Sequence, residues 1–378
     1  MSVHPIQMVD THTQYLNIKE EVDKAVLEVM DSSAFINGPA VKEFAQNLAA
    51  YLGTTHVIPC ANGTDALQIA LMALGLQPGD EVITPSFTYI ATTEVVALLK
   101  LKPVFVEVDK TTFCIDVQDL EKKITPKTKA IVPVHLYGQA ADMEAIMSIA
   151  QQHNLFVIED NAQAIGASFT FSDGTVKKTG TIGHIGCTSF YPSKNLGAFG
   201  DGGAICTDDA ELAAKMQMIA NHGQSKRYYH DVVGCNSRLD SMQAAILNVK
   251  LKHLDTYNTA RQEVAAFYNE AFSPNEKIIT PAIASYATHV YHQYTLVLNG
   301  VDRDRLSAFL AEQKIPSMIY YPVPGHRQQM FGQFDTEAQE LPVTDWLTER
   351  VISLPVHTEM TREQLEYITS CVLDFVHR

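Results

Sequence analysis

A chain of 378 residues with 46% hydrophobic and 19% charged side chains can bury a large core and split into two or three folding units, and it contains no low-complexity tract. Its formal net charge of −15 excludes a nucleic-acid binder, which needs clustered lysine and arginine against phosphates, and obliges any anionic ligand to find a local basic patch. The N-terminus has no apolar leader, no 18-residue apolar run occurs, and the six cysteines lack any C-x-x-C spacing, so the expectation is a cytoplasmic protein with reduced thiols, no membrane span and no metal.

In chain order, apolar strands alternate with helical patterns from residue 55 to 207. Strand 56–60 leads to helix 64–74, strand 81–84 to helix 90–99, strand 104–108 to the short helix 117–123, and strand 130–134 to helix 143–153. Strands 156–159, 187–191 and 204–207 follow, and helix 211–222 closes the unit. Strands apolar on both faces, separated by helices, specify an α/β fold with a mainly parallel central sheet flanked by helices. A long helical stretch, 241–269, leads to a region of different periodicity with strand 291–298 and helices 303–313 and 362–376. The expected division is a large α/β domain over residues 1–250, with an N-terminal helical segment, and a small C-terminal α+β domain over 251–378.

Ligands of such sheets bind outside the carboxyl ends of the strands, and four stretches fall there. In CANGTDAL, residues 60–67, the strand breaks at Asn62-Gly63 and a helix begins at Thr64. The backbone N–H groups and the Thr64 hydroxyl make either a phosphate-sized anion site or an ordinary capped helix. In FVIEDNAQAIGA, 156–167, Asp160 is either a helix N-cap or a strand-end carboxylate whose pKa burial raises unless a cation sits beside it. In TPSFTYIATTE, 84–94, Tyr89 either stacks on a flat ring or joins the core. In SFYPSKNLGAFGDGGAI, 189–205, Lys194 lies between an apolar run and a glycine cluster, either as a solvated loop lysine or as a reactive amine.

Together these supply a phosphate cradle, a stacking aromatic, an anion for a pyridinium and, 34 residues after that anion, a lysine. That combination is what a pyridoxal phosphate enzyme requires. Lys194 would bind the cofactor covalently and, once displaced by a substrate amine, move a proton between the amine-bearing carbon and the cofactor. Ser189, five residues earlier, can donate to the phosphate.

The sequence also resembles the DegT/DnrJ/StrS family of sugar aminotransferases, pyridoxal phosphate enzymes of fold type I, over nearly its whole length. The matching motifs are FINGP (35–39), CANGTDAL (60–67), GDEVITPSFTYIAT (79–92), VHLYGQAADM (134–143), IEDNAQAIGA (158–167), SFYPSKNLGAFGDGGAI (189–205), NSRLDSMQAAIL (236–247) and YYPVPGH (320–326). The resemblance implies that Lys194 holds the cofactor, Asp160 partners its ring nitrogen and Gln163 neighbours its ring hydroxyl. It assigns Gly63, Thr64 and Ser189 to the phosphate and Tyr89 to ring stacking. It further implies a homodimer with shared active sites, in which Asn236 reaches the phosphate of the partner's cofactor while Arg238 approaches substrate, with Tyr320 and His326 as further substrate contacts. Basic residues cluster as Lys226 and Arg227 with Arg238, and as His326 with Arg327.

Family members usually move an amino group from glutamate to the keto carbon of a nucleotide-linked sugar, in polysaccharide, lipopolysaccharide or related glycoconjugate biosynthesis. Branches with histidine at the lysine position are 3-dehydratases, and Lys194 argues against that branch. The stretches CANGTDALQIA, HGQSKRYYHDVVGCNSRLD and YYPVP are most similar to 3-aminotransferases acting on UDP-2-acetamido-3-keto-glucuronate or dTDP-3-keto-6-deoxyhexoses. Many such relatives carry HYP where this chain has Tyr320-Tyr321-Pro322, which leaves Arg238 as the partner for a uronate carboxylate. A 4-keto-sugar or cyclitol aminotransferase, or a non-catalytic regulatory protein on the same fold, are the alternatives. H-E-x-x-H, G-K-[ST] and G-x-S-x-G are absent, which removes zinc protease, phosphate-loop NTPase and α/β-hydrolase readings.

Overall fold

The computed structural model describes residues 5–334, 336 and 339–377. Three helices, α1 (Thr11–Asn17), α2 (Lys19–Ser32) and α3 (Pro39–Leu52), precede the first strand. In α3 the apolar residues Val41, Phe44, Leu48 and Leu52 recur at helical spacing and are the ones buried, Pro39 opens the helix, and Gly53 ends it in a left-handed conformation at φ 74.

The central layer is built from β1 (His56–Cys60), α4 (Gly63–Ala73), β2 (Glu81–Pro85), α5 (Ala91–Leu98), β3 (Lys102–Val106), α6 (Val117–Lys122), β4 (Thr128–Ile131), α7 (Met143–His153) and β5 (Phe156–Asp160). After a small ribbon, β6 (Ser168–Thr170) and β7 (Val176–Lys178), come β8 (Ile185–Ser189), β9 (Gly203–Thr207) and α8 (Ala210–Ala220). The seven-stranded sheet has the order β1-β9-β8-β5-β4-β2-β3. All its pairs are parallel except those of β9, which runs antiparallel to both β8 and β1. The reversal puts the start of β9 at the edge where the other strands end, with Gly203 in register with both Cys60 and Ser189. A Cβ on Gly203 would lie 2.4 Å from the Asn62 carbonyl, so glycine is what lets the two segments close up.

A second ribbon, β10 (Gln224–Lys226) and β11 (Tyr229–His230), precedes α9 (Ser241–Leu251) and α10 (Leu254–Phe272). The expected single helical stretch over 241–269 is therefore two helices. The chain changes core at the break: Leu247 and Leu251 pack with α3 residues, whereas Val264, Ala265, Tyr268 and Phe272 pack on a separate sheet. No glycine or proline marks that break in the sequence. The remaining elements are β12 (Ile278–Ile279), β13 (Tyr294–Leu298), α11 (Arg303–Glu312), α12 (Pro342–Thr348), β14 (Val351–Leu354) and α13 (Arg362–His377). Strands β12, β13 and β14 form an antiparallel sheet covered by α10, α11 and α13, and Ile6 from the N-terminal segment packs against the same core. β13 starts three residues later than the pattern suggests, because Tyr291 to Gln293 leave the sheet. No helix among the described residues is long and apolar enough to cross a membrane, and the six cysteines are free thiols, five of them buried.

Candidate active site

A cleft of about 690 Å³ opens at the edge where the parallel strands end. Its floor is the β1–α4 junction. Asn62 caps α4 by accepting from the Asp65 amide at 2.8 Å, and the Gly63 and Thr64 amides, in the first turn, have no intrahelical acceptor to reach. A Cβ on Gly63 would stand 2.7 Å from Ser189 Cβ, so glycine keeps that cradle open between α4 and the end of β8. Gly63, Thr64 and Ser189 all line the cleft, an arrangement of helix-start amides and hydroxyls suited to a phosphate.

Asp160 closes β5 and is 5% exposed. It does not cap a helix. Its Oδ2 accepts from Thr92 Oγ1 at 2.8 Å and its Oδ1 from the Ala162 amide at 3.1 Å. Burial still pushes its carboxyl above the usual aspartate range, against the opposing pull of those two donors and of Lys194. A carboxylate in that state is matched by a cation facing it, which a protonated pyridine nitrogen provides. With the phosphate cradle, and with Tyr89 55% exposed at the mouth, these residues fit pyridoxal phosphate.

Lys194 reaches the same cleft from the β8–β9 connection. That connection is pinned by backbone bonds: the Phe190 amide donates to the Gly202 carbonyl and the Ala198 amide to the Phe190 carbonyl, each at 2.7 Å. Beneath it the buried Lys250 donates to the Gly197 carbonyl at 2.6 Å. Burial pushes the Lys194 amine down to about 8, with Asp160 pulling the other way. Gln163 lines the cleft with both ends engaged, its Oε1 accepting from the Tyr137 amide at 2.8 Å and its Nε2 donating to the Tyr321 hydroxyl at 2.9 Å. Tyr320 is half-buried and also lines the cleft, and its carbonyl accepts from the Tyr137 hydroxyl.

The cleft therefore brings together Gly63, Thr64, Tyr89, Asp160, Gln163, Ser189, Lys194 and Tyr320. It does not bring in His326. That imidazole is fully buried, its Nδ1 is 2.7 Å from Ser86 Oγ and its Nε2 3.4 Å from Asp345 Oδ1, and desolvation pushes it down to about 4. His326 ties the 325–327 turn to the residue that follows β2, outside the cleft lining; the flanking Arg327 pairs with Asp345 at 2.9 Å. Asn236 is exposed and Arg238 half-buried, both outside the cleft lining of their own chain. Arg238 has no carboxylate within salt-bridge distance among the described residues. Lys226 and Arg227 stand on an exposed ribbon over Tyr229 and Tyr228.

Sequence reasoning missed Thr92, which donates to Asp160, and His292, Gln293 and Tyr321, which line the cleft. Thr92 lies in the first turn of α5, three residues after Tyr89, and a hydroxyl at the start of a helix beside the strand ends was the available signal. His292 and Gln293 read as residues of a strand, and only the late entry of the chain into β13 reveals them.

A profile of the DegT/DnrJ/EryC1/StrS aminotransferase family matches residues 16–373. Over 98% of both chains, this one is 46% identical to a protein of Geobacillus stearothermophilus named pleiotropic regulatory protein. It is 45% identical, again over 98% of both chains, to the UDP-N-acetyl-3-dehydro-alpha-D-glucosamine 3-aminotransferase of Acidithiobacillus ferrooxidans. Identity is 44% to the UDP-2-acetamido-2-deoxy-3-oxo-D-glucuronate aminotransferase of Pseudomonas aeruginosa, over 97% of this chain and 99% of that one. Among solved structures, DesV of S. venezuelae in complex with a ketimine intermediate superposes with a TM-score of 0.93 at 38% identity, covering 100% of both chains.

Proposed function

The chain belongs to the DegT/DnrJ/EryC1/StrS aminotransferase family, and on that premise we propose that it aminates the 3-keto carbon of a UDP-linked 2-acetamido sugar, with glutamate as the amino donor. Bound pyridoxal phosphate supplies the electron sink and carries the amino group between the two half-reactions. The Gly63 and Thr64 amides with the Ser189 hydroxyl hold its phosphate, Tyr89 covers the ring, and Asp160 keeps the proton on the ring nitrogen. Lys194, pushed down to about 8, is a free amine near neutral pH far more often than an ordinary lysine, so it takes and returns the proton of the amine-bearing carbon.

The charge of the cleft carries the choice of sugar. Among the described lining residues Lys194 is the sole ammonium or guanidinium, set against Asp65, Asp160 and Asp201. A sugar carboxylate would meet those acids and the neutral hydroxyl of Tyr320, so the neutral 2-acetamido-3-keto-glucose unit fits better than the uronate. The diphosphate then takes its cations from a second copy: Arg238, with no carboxylate within salt-bridge distance among the described residues and with Asn236 beside it, reaches across a homodimer. The six free cysteines, five of them buried, support work in a reducing compartment such as the cytoplasm. The division near residue 250 is supported by the change of core between α9 and α10.

The experiment is a comparison of kcat/KM for UDP-2-acetamido-3-keto-glucose, UDP-2-acetamido-3-keto-glucuronate and dTDP-3-keto-6-deoxyglucose. The first should lead by at least tenfold, and a lead for the uronate would overturn the choice of sugar. The regulatory reading, raised by the name of the Geobacillus relative, is decided by glutamate alone: a non-catalytic protein would leave bound cofactor unconverted.

A further inference from the structure

His292 meets the reactive lysine from a side that nothing in the function described so far requires. It is 4% exposed, lines the cleft, and its Nε2 lies 3.4 Å from Lys194 Nζ and 3.4 Å from Gln293 Nε2. The protonated form of Lys194 offers only N–H groups, so toward it Nε2 can act only as an acceptor, and the ring proton then sits on Nδ1. Nδ1 is buried and has no partner among the described residues. Desolvation, with Lys194 and Arg261 as neighbouring cations, keeps the ring neutral by holding it well below the usual histidine range.

The backbone that carries His292 is fixed by an unusual clamp. Arg261 on α10 is 2% exposed and directs Nη1 at three carbonyls, those of Tyr291 at 3.1 Å, His292 at 3.4 Å and Val356 at 2.8 Å. Among the described residues it has no carboxylate partner within salt-bridge distance. A buried guanidinium without a counter-ion is costly, and here it holds Tyr291 and His292 away from β13 and toward the lysine.

We propose that His292, on a backbone clamped by Arg261, is the positioning residue for the Lys194 amine, its unprotonated Nε2 accepting a hydrogen bond from Nζ whenever that amine is not bonded to cofactor. Because the imidazole stays neutral, it orients the amine without taking its proton, and Lys194 alone carries the transferred proton. The inference rests on Lys194 being the amine of the reaction, but its test does not depend on which sugar is turned over.

Measurements on the cofactor-free full-length chain, with kinetics of the cofactor-loaded enzyme beside them, decide it. The pKa of Lys194 can be read from the pH dependence of its acetylation by acetic anhydride, followed on the Lys194 peptide by mass spectrometry. Losing an acceptor of the ammonium should lower that pKa by about one unit in His292→Leu. His292→Gln, which returns an acceptor oxygen near the Nε2 position, should restore most of it. In the cofactor-loaded enzyme the same pair should show kcat reduced about tenfold in His292→Leu with KM for glutamate little changed, and recovery in His292→Gln. An unaltered Lys194 pKa in a folded His292→Leu chain overturns the proposal. Should that variant not fold, nitrogen-15 NMR of histidine-labelled wild-type chain decides: the Nδ1–H tautomer of His292 supports the proposal, and the Nε2–H tautomer overturns it. A chain that shows the lysine shift yet aminates no keto sugar would overturn the proposed substrate and leave this inference standing.

Discussion

Thr92 donates its hydroxyl to Asp160 Oδ2 at 2.8 Å, between two side chains that are both buried, so the carboxylate proposed to face the cofactor ring is held by a residue on α5. With only the Ala162 amide left on Oδ1, the carboxyl of a Thr92→Val chain would rise further and hold the ring proton less well. A hydrogen bond to a charged group is worth about 1.5–3 kcal/mol, so kcat should fall about tenfold or more. Thr92→Ser should retain most of the rate. Equal steady-state rates for Thr92→Val and wild type, at saturating cofactor, would show that Asp160 does not lean on Thr92.

Asp160→Asn should separate activity from stability. Transamination should fall by about two to three orders of magnitude, the usual cost of deleting a preorganised electrostatic partner. The cofactor-free chain should become more stable at neutral pH, because a carboxylate buried without its cation is gone. The sign follows from the direction of the shift. With its native pKa above 3.8, the folded carboxyl binds more protons than the unfolded one as pH rises past that value, so wild-type stability drops across that window and the asparagine variant escapes the drop. Urea unfolding of both cofactor-free chains at pH 4 and pH 7.5 checks it; a stability difference that is the same at both pH values would refute it.

Lys194→Ala should lose the yellow absorbance of lysine-bound cofactor and all turnover, since no other amine among the described residues lines the cleft. Arg238→Ala should bind cofactor normally and fail with sugar. If Arg238 serves the neighbouring site, mixing the two inactive chains should recover up to about a quarter of wild-type activity, one hybrid site regaining both residues. Absence of recovery after demonstrated subunit exchange would confine Arg238 to its own chain.

The sheet and its cleft were legible because these carboxyl-terminal strand ends carried their own marks: Asn62-Gly63 after β1, Asp160 as the last residue of β5, the glycines around Lys194 after β8. Strand bounds at β1 and helix bounds at α7 are those the periodicity gives, since strong apolar spacing meets clear caps there. What stayed hidden depends on approach between distant segments. The reversal of β9 leaves no local mark, because a short buried strand reads the same in either direction. The break between α9 and α10 is made by a change of packing partner, and the ring of His292 is placed by an arginine 31 residues earlier. His326 lies outside the cleft lining for the same kind of reason: its contact with Ser86, 240 residues away, leaves no local mark beside the neighbouring arginine.

Lys250 offers a test of how far the lysine loop is supported from below. It is 1% exposed, donates to the Gly197 carbonyl at 2.6 Å and lies over the Phe199 ring, and burial, aided by the Arg261 charge, pushes its amine from 10.5 down to about 7. Below pH 7 the lysine is charged in both folded and unfolded chains, and the full burial penalty weakens the fold. Between about 7 and 10.5 the folded chain has released the proton and the unfolded chain still holds it, so stability rises with pH. Lys250→Met has no such titration, while Lys194 contributes equally to wild type and variant and cancels. The stability of wild type relative to Lys250→Met should therefore climb from pH 6 to pH 10, by a few kcal/mol at most, judged from the size of the shift at about 1.4 kcal/mol per unit. Guanidinium unfolding at pH 6, 8 and 10 measures it, whatever constant offset the unpaired Gly197 carbonyl adds to the variant. A difference that does not change with pH would mean that Lys250 keeps its proton inside the fold, and that the loop bearing Lys194 rests on a permanent cation.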